Sequence, residues 1–296
     1  MLMKPFIFLF LAGLASLISC NSNESGTSKN DAEYAAELLD VTKFDTLNIS
    51  SAWTVELKES DRYSVSLNYP ANIRKHIVAR CENGRLRLDI VSKGDSNPLA
   101  RNDLKQYITV NRPKALITLP SFDKIILDES ASLNFCENFV IGKCKITMHG
   151  ASNISGGSVH ADSIRIHMDG AAVLDTKIEA GAIAVNLANS ASFKPSLTSQ
   201  SLALTQTGAS SVVLGEQYYK EGGMLSLDIS ENATMEAGKV PFEKVVVDAA
   251  GTSAAVVHPT KILEVNASGA SSVRYIFTKE LTKNISENDS ASVRIE

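Results

Sequence analysis

From about residue 125 onward, the chain places apolar residues at every second position in short runs. Ile164/Ile166/Met168, Ile183/Val185/Leu187, Leu225/Leu227/Ile229, Val245/Val247/Ala249 and Leu263/Val265/Ala267 are such triplets, with mostly polar or small residues such as Ser163, Arg165 and His167 between the apolar ones. A period of two puts each triplet on one face of a strand and the intervening residues on the face that meets water. The runs are rich in β-branched residues and lack the three-and-four recurrence of a helix, so strands are predicted throughout.

Each run ends in a tripeptide of small residues. It reads Ser130-Ala131-Ser132, Gly150-Ala151-Ser152, Gly170-Ala171-Ala172, Ser190-Ala191-Ser192, Gly208-Ala209-Ser210, Asn232-Ala233-Thr234, Gly251-Thr252-Ser253, Gly269-Ala270-Ser271 and Ser290-Ala291-Ser292, recurring every 18 to 24 residues. A period of about 20 is too short for a helix pair or a propeller blade and fits one rung of a solenoid. The predicted fold is all-β, a single-stranded β-helix with rungs about 4.8 Å apart and inward residues stacked in columns. Burying one aliphatic side chain contributes roughly 1.5–3 kcal/mol, so a rung offsets its ordering entropy only when its neighbours cover it. The tripeptide reads as a tight corner in register, where large side chains do not fit and glycine accepts left-handed angles, as at Gly150, Gly170, Gly208, Gly251 and Gly269.

Residues 41–120 carry a looser version of this pattern and are predicted to form longer, hairpin-bearing opening rungs below the regular rungs of 121–296, a separate small β-domain being the alternative. Leu47-Asn48-Ile49 and Val55 alternate around a small-residue step, and Asn83-Gly84 between two strand candidates is a hairpin signal. The stretch Lys93–Asp103 reads as an exposed loop, with strand character resuming at Tyr107-Ile108-Thr109-Val110 and Ala115–Leu119.

The first 19 residues have one basic residue, Lys4, then an apolar stretch from Pro5 to Leu17, the layout of a secretory signal and too short for a comfortable membrane span. Leu17-Ile18-Ser19-Cys20 resembles the lipobox of bacterial lipoproteins, which implies cleavage before Cys20 and lipidation of that cysteine. Residues 20–40 are then the lipidated cysteine and a flexible polar tether, and 41–296 the β-helix domain. The implied location is exported and lipid-anchored in the cell envelope, at the outer membrane, with the side it faces left open.

Residues Phe44-Asp45-Thr46-Leu47-Asn48-Ile49, Val55-Glu56-Leu57, Tyr63-Ser64-Val65, Leu86-Arg87-Leu88 and the small-residue rungs together resemble the putative auto-transporter adhesin, head GIN domain family, over roughly 41–296. The resemblance implies a right-handed single-stranded β-helix, an exported location and an adhesin-like role. Four of the tripeptides open on Ser130, Ser190, Asn232 or Ser290, so glycine is not a fixed requirement of that position.

Composition narrows the function. Against 29 basic residues stand 33 acidic ones, a net charge of -4, which argues against a nucleic-acid or other polyanionic partner. Aromatic residues make up 6% with a single tryptophan, Trp53, few stacking platforms for sugar rings or single strands. After Cys20 come Cys81, Cys136 and Cys144, an odd set that permits at most one disulfide; Cys136 and Cys144 are the nearer pair, and isolated buried cysteines are the alternative. No cysteine and histidine spacing suits zinc, and no metal or cofactor is expected.

β-Helices also carry polysaccharide lyases and hydrolases, which gather carboxylates on one outer face. Aligned on the tripeptide, the preceding column reads Glu129, His149, Asp169, Asn189, Thr207, Glu231, Ala250, Ser268 and Asp289, with no two carboxylates on adjacent rungs. Asp123, Asp162 and Asp175 read as turn residues, and an enzyme would have to use Asp162, Asp169 or Asp175. His149, His160 and His167 fall close enough in sequence to meet on neighbouring rungs and hold a metal, although the alternation turns His167 simply outward. Gly156-Gly157 and Gly222-Gly223 read as bends, and no nucleophile elbow is present. The sequence therefore points to a non-catalytic binding or structural module with an unidentified protein or glycan partner. The runner-up is a carbohydrate-active enzyme on the same scaffold, and a self-assembling element is a third class, the oligomeric state being open.

Overall fold

The two-residue alternation becomes a pile of parallel strands. The computed structural model describes residues 32–91, 98–215 and 223–296, of which Glu33–Glu296 form one compact unit. The expected signal peptide, Cys20, most of the tether, the start of the expected loop and Gly222 lie outside the described residues.

The opening part contains β1 (Tyr34–Leu39), β2 (Thr46–Ile49), β3 (Thr54–Glu59), β4 (Ser64–Pro70), β5 (Ile77–Glu82), β6 (Arg85–Ile90), α1 (Pro98–Val110) and β7 (Lys114–Leu119). The regular part runs through β8 (Lys124–Leu127), β9 (Ser132–Met148), β10 (Asn153–Met168), β11 (Val173–Leu187), β12 (Ser192–Phe193), β13 (Ser196–Gln206) and β14 (Ser211–Val213). It closes with β15 (Met224–Ile229), β16 (Thr234–Ala249), β17 (Ala254–Ala267), β18 (Ser272–Tyr275), β19 (Thr282–Glu287) and β20 (Ser292–Ile295). The result is a β-solenoid of about eight turns. Long strands such as β9 turn where the alternation slips, at Cys136–Asn138 and at Gly142-Lys143, each slip leaving consecutive exposed residues.

Register defines the interior. Leu86, Leu47, Ile125, Ile146, Ile166, Val185, Leu204, Leu227, Val247 and Val265 pair successively up the stack, and all are buried. Beyond the corner a second file, Val55, Leu133, Ile154, Leu174, Phe193, Val212, Met235, Ala255 and Val273, lines the next wall. The expected shared interior is therefore present. Polar side chains also enter it, Thr176 and Ser199 among them, and the largest is Gln206, which takes the place that Leu187 and Ile229 occupy on adjacent rungs, fully buried, with Nε2 donating to Thr234 O at 3.1 Å and Oε1 unpartnered among the described residues.

The corner is built from backbone. Glu129, Gly150, Gly170, Asn189, Gly208, Glu231, Gly251, Gly269 and Asp289 all adopt φ between 58° and 78°. Each of these carbonyls up to Gly269 accepts the N–H one residue past the left-handed position on the next rung, as in Ala171 N–H to Gly150 O at 2.7 Å and Asn232 N–H to Gly208 O at 3.0 Å. Two residues past the left-handed position stands a buried small residue: Ala131, Ser152, Ala172, Ala191, Ser210, Ala233, Ser253 or Ser271. This corrects the alignment on the tripeptide, which slips by one residue on the rungs beginning Ser130, Ser190, Asn232 and Ser290. On those rungs the residue before the tripeptide makes the turn. Where that residue is not glycine, its side chain bonds to the neighbouring rung in three cases: Asn189 donates to Asp169, Glu231 accepts Gly208 N–H at 2.9 Å, and Asp289 accepts Gly269 N–H at 3.2 Å.

The opening rungs cap the stack out of chain order. β2 lies between β6 and β8, and β3 between β7 and β9, all parallel, while β5, β4 and β1 add antiparallel edges. Asn83 and Gly84 form the β5–β6 hairpin turn, both with positive φ, as their sequence predicts. Two expectations are corrected. Residues 34–39, expected in the tether, form β1, held to β4 by Glu37, which accepts from Tyr69 Oη at 2.5 Å and pairs with Arg74 at 3.1 Å. Residues 98–110, read as loop and then strand, form α1: Leu104, Tyr107 and Ile108 recur at three and four and pack on the core, a period that the alternation of Tyr107 and Thr109 concealed. Trp53 is fully buried in the slot below Ala131, two residues past Ser51, which repeats the left-handed angle with a φ of 63°. Arg112 closes this end of the corner by donating to the Ala52 carbonyl at 3.1 Å and to the Ser130 carbonyl.

A methyl group on Gly170 would stand 2.7 Å from Gly150 O at a φ of +78°, whereas one on Gly142 meets only a side-chain oxygen at 3.9 Å. Chemical denaturation is expected to show Gly170→Ala losing about 2–4 kcal/mol, from left-handed strain and overpacking together, and Gly142→Ala staying within about 0.5 kcal/mol. Equal losses at the two sites would contradict the backbone-stacked corner.

Candidate functional site

On the wall that carries the Leu47 and Ile146 file, the outward residues also stack. One outward file reads Arg85, Thr46, Lys124, Lys145, Arg165, Ala184, Ala203, Ser226, Val246, Glu264 and Asn284; its neighbour reads Arg87, Asn48, Ile126, Thr147, His167, Asn186, Thr205, Asp228, Asp248, Asn266 and Ser286. Lys143 adds a further exposed cation beside Lys145. Cations thus gather at the opening end of the face, small neutral residues follow, and Asp228 and Asp248 stand exposed farther along.

The first file brings Lys124, Lys145 and Arg165 onto three successive rungs. Stacked like charges are mutually destabilising, and among the described residues no carboxylate lies within 4.0 Å of these three groups, of Lys143 or of Arg85. Ala184 and Ala203 occupy the next two places of the same file, so folding does not call for a cation there. At the opening end the face runs into a cleft of about 320 Å3 lined by Asn48, Arg80, Glu82, Asn83, Arg85 and Arg87. Arg80 and Arg87 are directly opposed across the β5–β6 hairpin and so project to the same side. Arg87 is tied to Asp89 at 2.8 Å and Arg80 lies 3.8 Å from Glu82, which leaves Arg85 as the cleft's unpaired guanidinium among the described residues. The arrangement is cationic and open to solvent, suited to holding an anion by charge and hydrogen bonds.

This cluster was missed in the sequence because net charge averages over the molecule. The signal was present in the period: Lys124, Lys145 and Arg165 are separated by one rung each.

The sequence-predicted candidates fare differently. Asp162, Asp169 and Asp175 do not converge: Asp169 sits at the corner, Asp175 is paired with Ser155 on the strand past the corner, and Asp162 lies at the strand turn beside Gly181. The Asp169 carboxyl is held below the usual range by hydrogen bonds from Asn189 Nδ2 and from the Gly170 N–H, a corner-fastening role. His149 and His167 meet edge to face with ring centroids 5.6 Å apart, whereas His160 lies elsewhere, 3.5 Å from Glu179. No three metal-ligating side chains cluster among the described residues. Gly156 and Gly157 form the predicted bend, with positive φ and a shift in register. Gly150, Gly170, Gly208, Gly251 and Gly269 all take corner positions.

The family model described as "Putative auto-transporter adhesin, head GIN domain" matches residues 43–276. Among solved structures, a putative adhesin from Parabacteroides distasonis is similar at TM-score 0.65 and 12% identity, covering 90% of this chain and 98% of its own. A putative lipid binding protein from the same organism has TM-score 0.63 and 16% identity, with coverage of 90% and 98%. A putative adhesin from Parabacteroides merdae has TM-score 0.64 and 12% identity, with coverage of 90% and 97%. No curated protein matches the chain.

Cys136 and Cys144 do not form the candidate disulfide; with Cys81 they are free thiols. Alternation explains this, since Cys144 faces the interior and Cys136 is exposed where the strand turns. Burial, and secondarily the Asp123 carboxylate, pushes the Cys144 thiol up to about 12. The folded state therefore holds this proton more tightly than the unfolded chain, and that contribution is complete below about pH 8.5, the ordinary thiol value, and is lost as pH rises toward the folded value. Relative to Cys144→Val, the parent chain should lose stability between about pH 8.5 and 12. Alkylation at neutral pH should label Cys136 in the native protein and Cys144 only after denaturation; rapid native labelling of Cys144 would place its thiol outside the core.

Proposed function

The chain belongs to the head GIN domain family of putative auto-transporter adhesins, and we propose that it is an exported, lipid-anchored, non-catalytic binding module. Its solenoid would display one lateral wall to a partner in the cell envelope. The observation that carries this reading is the unpaired file Lys124–Lys145–Arg165, a cluster of like charge that the same file dispenses with at Ala184 and Ala203.

The lipobox-like Leu17-Ile18-Ser19-Cys20 supports an N-terminal anchor at Cys20, and with it the placement in the envelope, at the outer membrane. The scattered positions of Asp162, Asp169 and Asp175 speak against the enzyme reading, because general acid and base must flank one bond. A lipid-binding role, the one in the name of the Parabacteroides distasonis relative, finds less support. Such a role needs an apolar cavity, and the interior files here are filled with close-paired aliphatic side chains.

Two measurements test the proposal. Expressed in a bacterial host fed labelled fatty acid, the full chain should take up label and partition into membranes, and Cys20→Ser should do neither; label retained by Cys20→Ser would remove the anchor. Retention of the full chain on envelope material should fall at least tenfold in Lys145→Glu/Arg165→Glu and stay unchanged in Asp162→Ala/Asp175→Ala, with both variants melting like the parent. Retention indifferent to the cationic file would end the lateral-wall reading.

A further inference from the structure

Taking the binding-module reading as its basis, we infer that the cationic face is a site for an acidic polysaccharide chain, which runs along the solenoid axis from the Arg80/Arg85/Arg87 cleft across Lys124, Lys145 and Arg165.

Four observations select this ligand class. Positive groups stand in single file on neighbouring strands, whose spacing is about 4.8 Å, so they meet a ligand whose negative charges recur along a line. The neighbouring file offers Asn48, Thr147, Asn186 and Thr205, side chains that donate and accept hydrogen bonds as a polyhydroxylated chain requires. Beyond Arg165 the first file continues with exposed Ala184 and Ala203, which leave a flat floor for the body of the chain.

The fourth observation excludes competitors. A planar anionic membrane lying on this wall would also meet Asp228 and Asp248, exposed on the same face, whereas a chain that reaches no farther than Ala203 avoids them. A peptide that binds by adding a strand needs free main-chain groups at a sheet edge, and here the strands under the cations are bonded on both sides. A nucleic acid strand calls for aromatic platforms beside the cations, and the first file carries none from Arg85 to Arg165.

The test uses the purified full chain in neutral detergent, titrated with polygalacturonate, with dextran as uncharged control and with phosphatidylglycerol vesicles as the membrane arm. Saturable binding of polygalacturonate that weakens steeply with added salt is expected, with no binding of dextran. Lys124→Glu/Lys145→Glu should weaken binding at least tenfold, as should Arg85→Glu, while Asp228→Asn/Asp248→Asn should not weaken it. All substituted positions are on the outer surface, and unchanged melting would confirm that the variants are folded. Polygalacturonate binding that is no tighter than dextran, or that ignores both substitutions in the cationic file, overturns the inference. Vesicle binding that depends on Lys124 and Lys145 without polygalacturonate binding overturns it as well, yet leaves the lateral-wall reading standing. Loss of dependence on the file for every anionic probe removes both.

Discussion

One constraint governs the regular part of this molecule: at the corner, backbone must lie directly on backbone. Gly251 and Gly269 approach so closely that a methyl group on Gly269 would fall 2.9 Å from Gly251 O. The contact exists because the residue after each left-handed position donates its N–H straight down to the previous rung. Fixing the corner fixes the register of the strands on either side, and a slip of one residue would turn each aliphatic file out to water. The buried Ala and Ser positions two residues on follow from the same close approach. Hydrophobic burial supplies most of the stabilisation, and the corner decides which residues receive it.

Much of this architecture was legible in the sequence because stacking converts spatial neighbours into a period. Ile146, Ile166, Val185 and Leu204 could be assigned to a common file from alternation and spacing alone. The corner was legible only in part. A left-handed residue can be glycine, Glu129 or, with a side chain fastened to the preceding rung, Asn189, Glu231 or Asp289, and no small-residue motif marks that choice. The opening region was harder because its rungs are not stacked in chain order: β2 is covered by β6, from well downstream, before β8 covers its other edge. A helix within such a region leaves only the weak signature of Leu104, Tyr107 and Ile108.

The cationic surface illustrates a different limit. Outward files have no common chemistry to enforce, so each position is free to differ from the one below, and composition sums them into a small net charge of -4. The fold sorts them: arginine and lysine at the opening rungs, alanine, asparagine and threonine in the middle, aspartate later. The register makes neighbours of Lys124, Lys145 and Arg165, which the sequence spaces one rung apart. Along this wall the cations that lack a carboxylate among the described residues gather toward the end nearest β1, the first strand after the N-terminal segment.

Gln206 marks a discontinuity in the other direction. In a stack where every rung is held only by the one above and the one below, cohesion is as great as the weakest adjoining pair allows. At that level the aliphatic file is broken by a carboxamide with one atom unpartnered, between Leu187 beneath and Ile229 above. The Nε2 bond to the Thr234 carbonyl is then the side-chain hydrogen bond that Gln206 makes across this level. Thermal opening that begins there would part a block containing the capping strands and the cationic wall from a block of later rungs, so that the two halves of a visually uniform column behave as separate cooperative units.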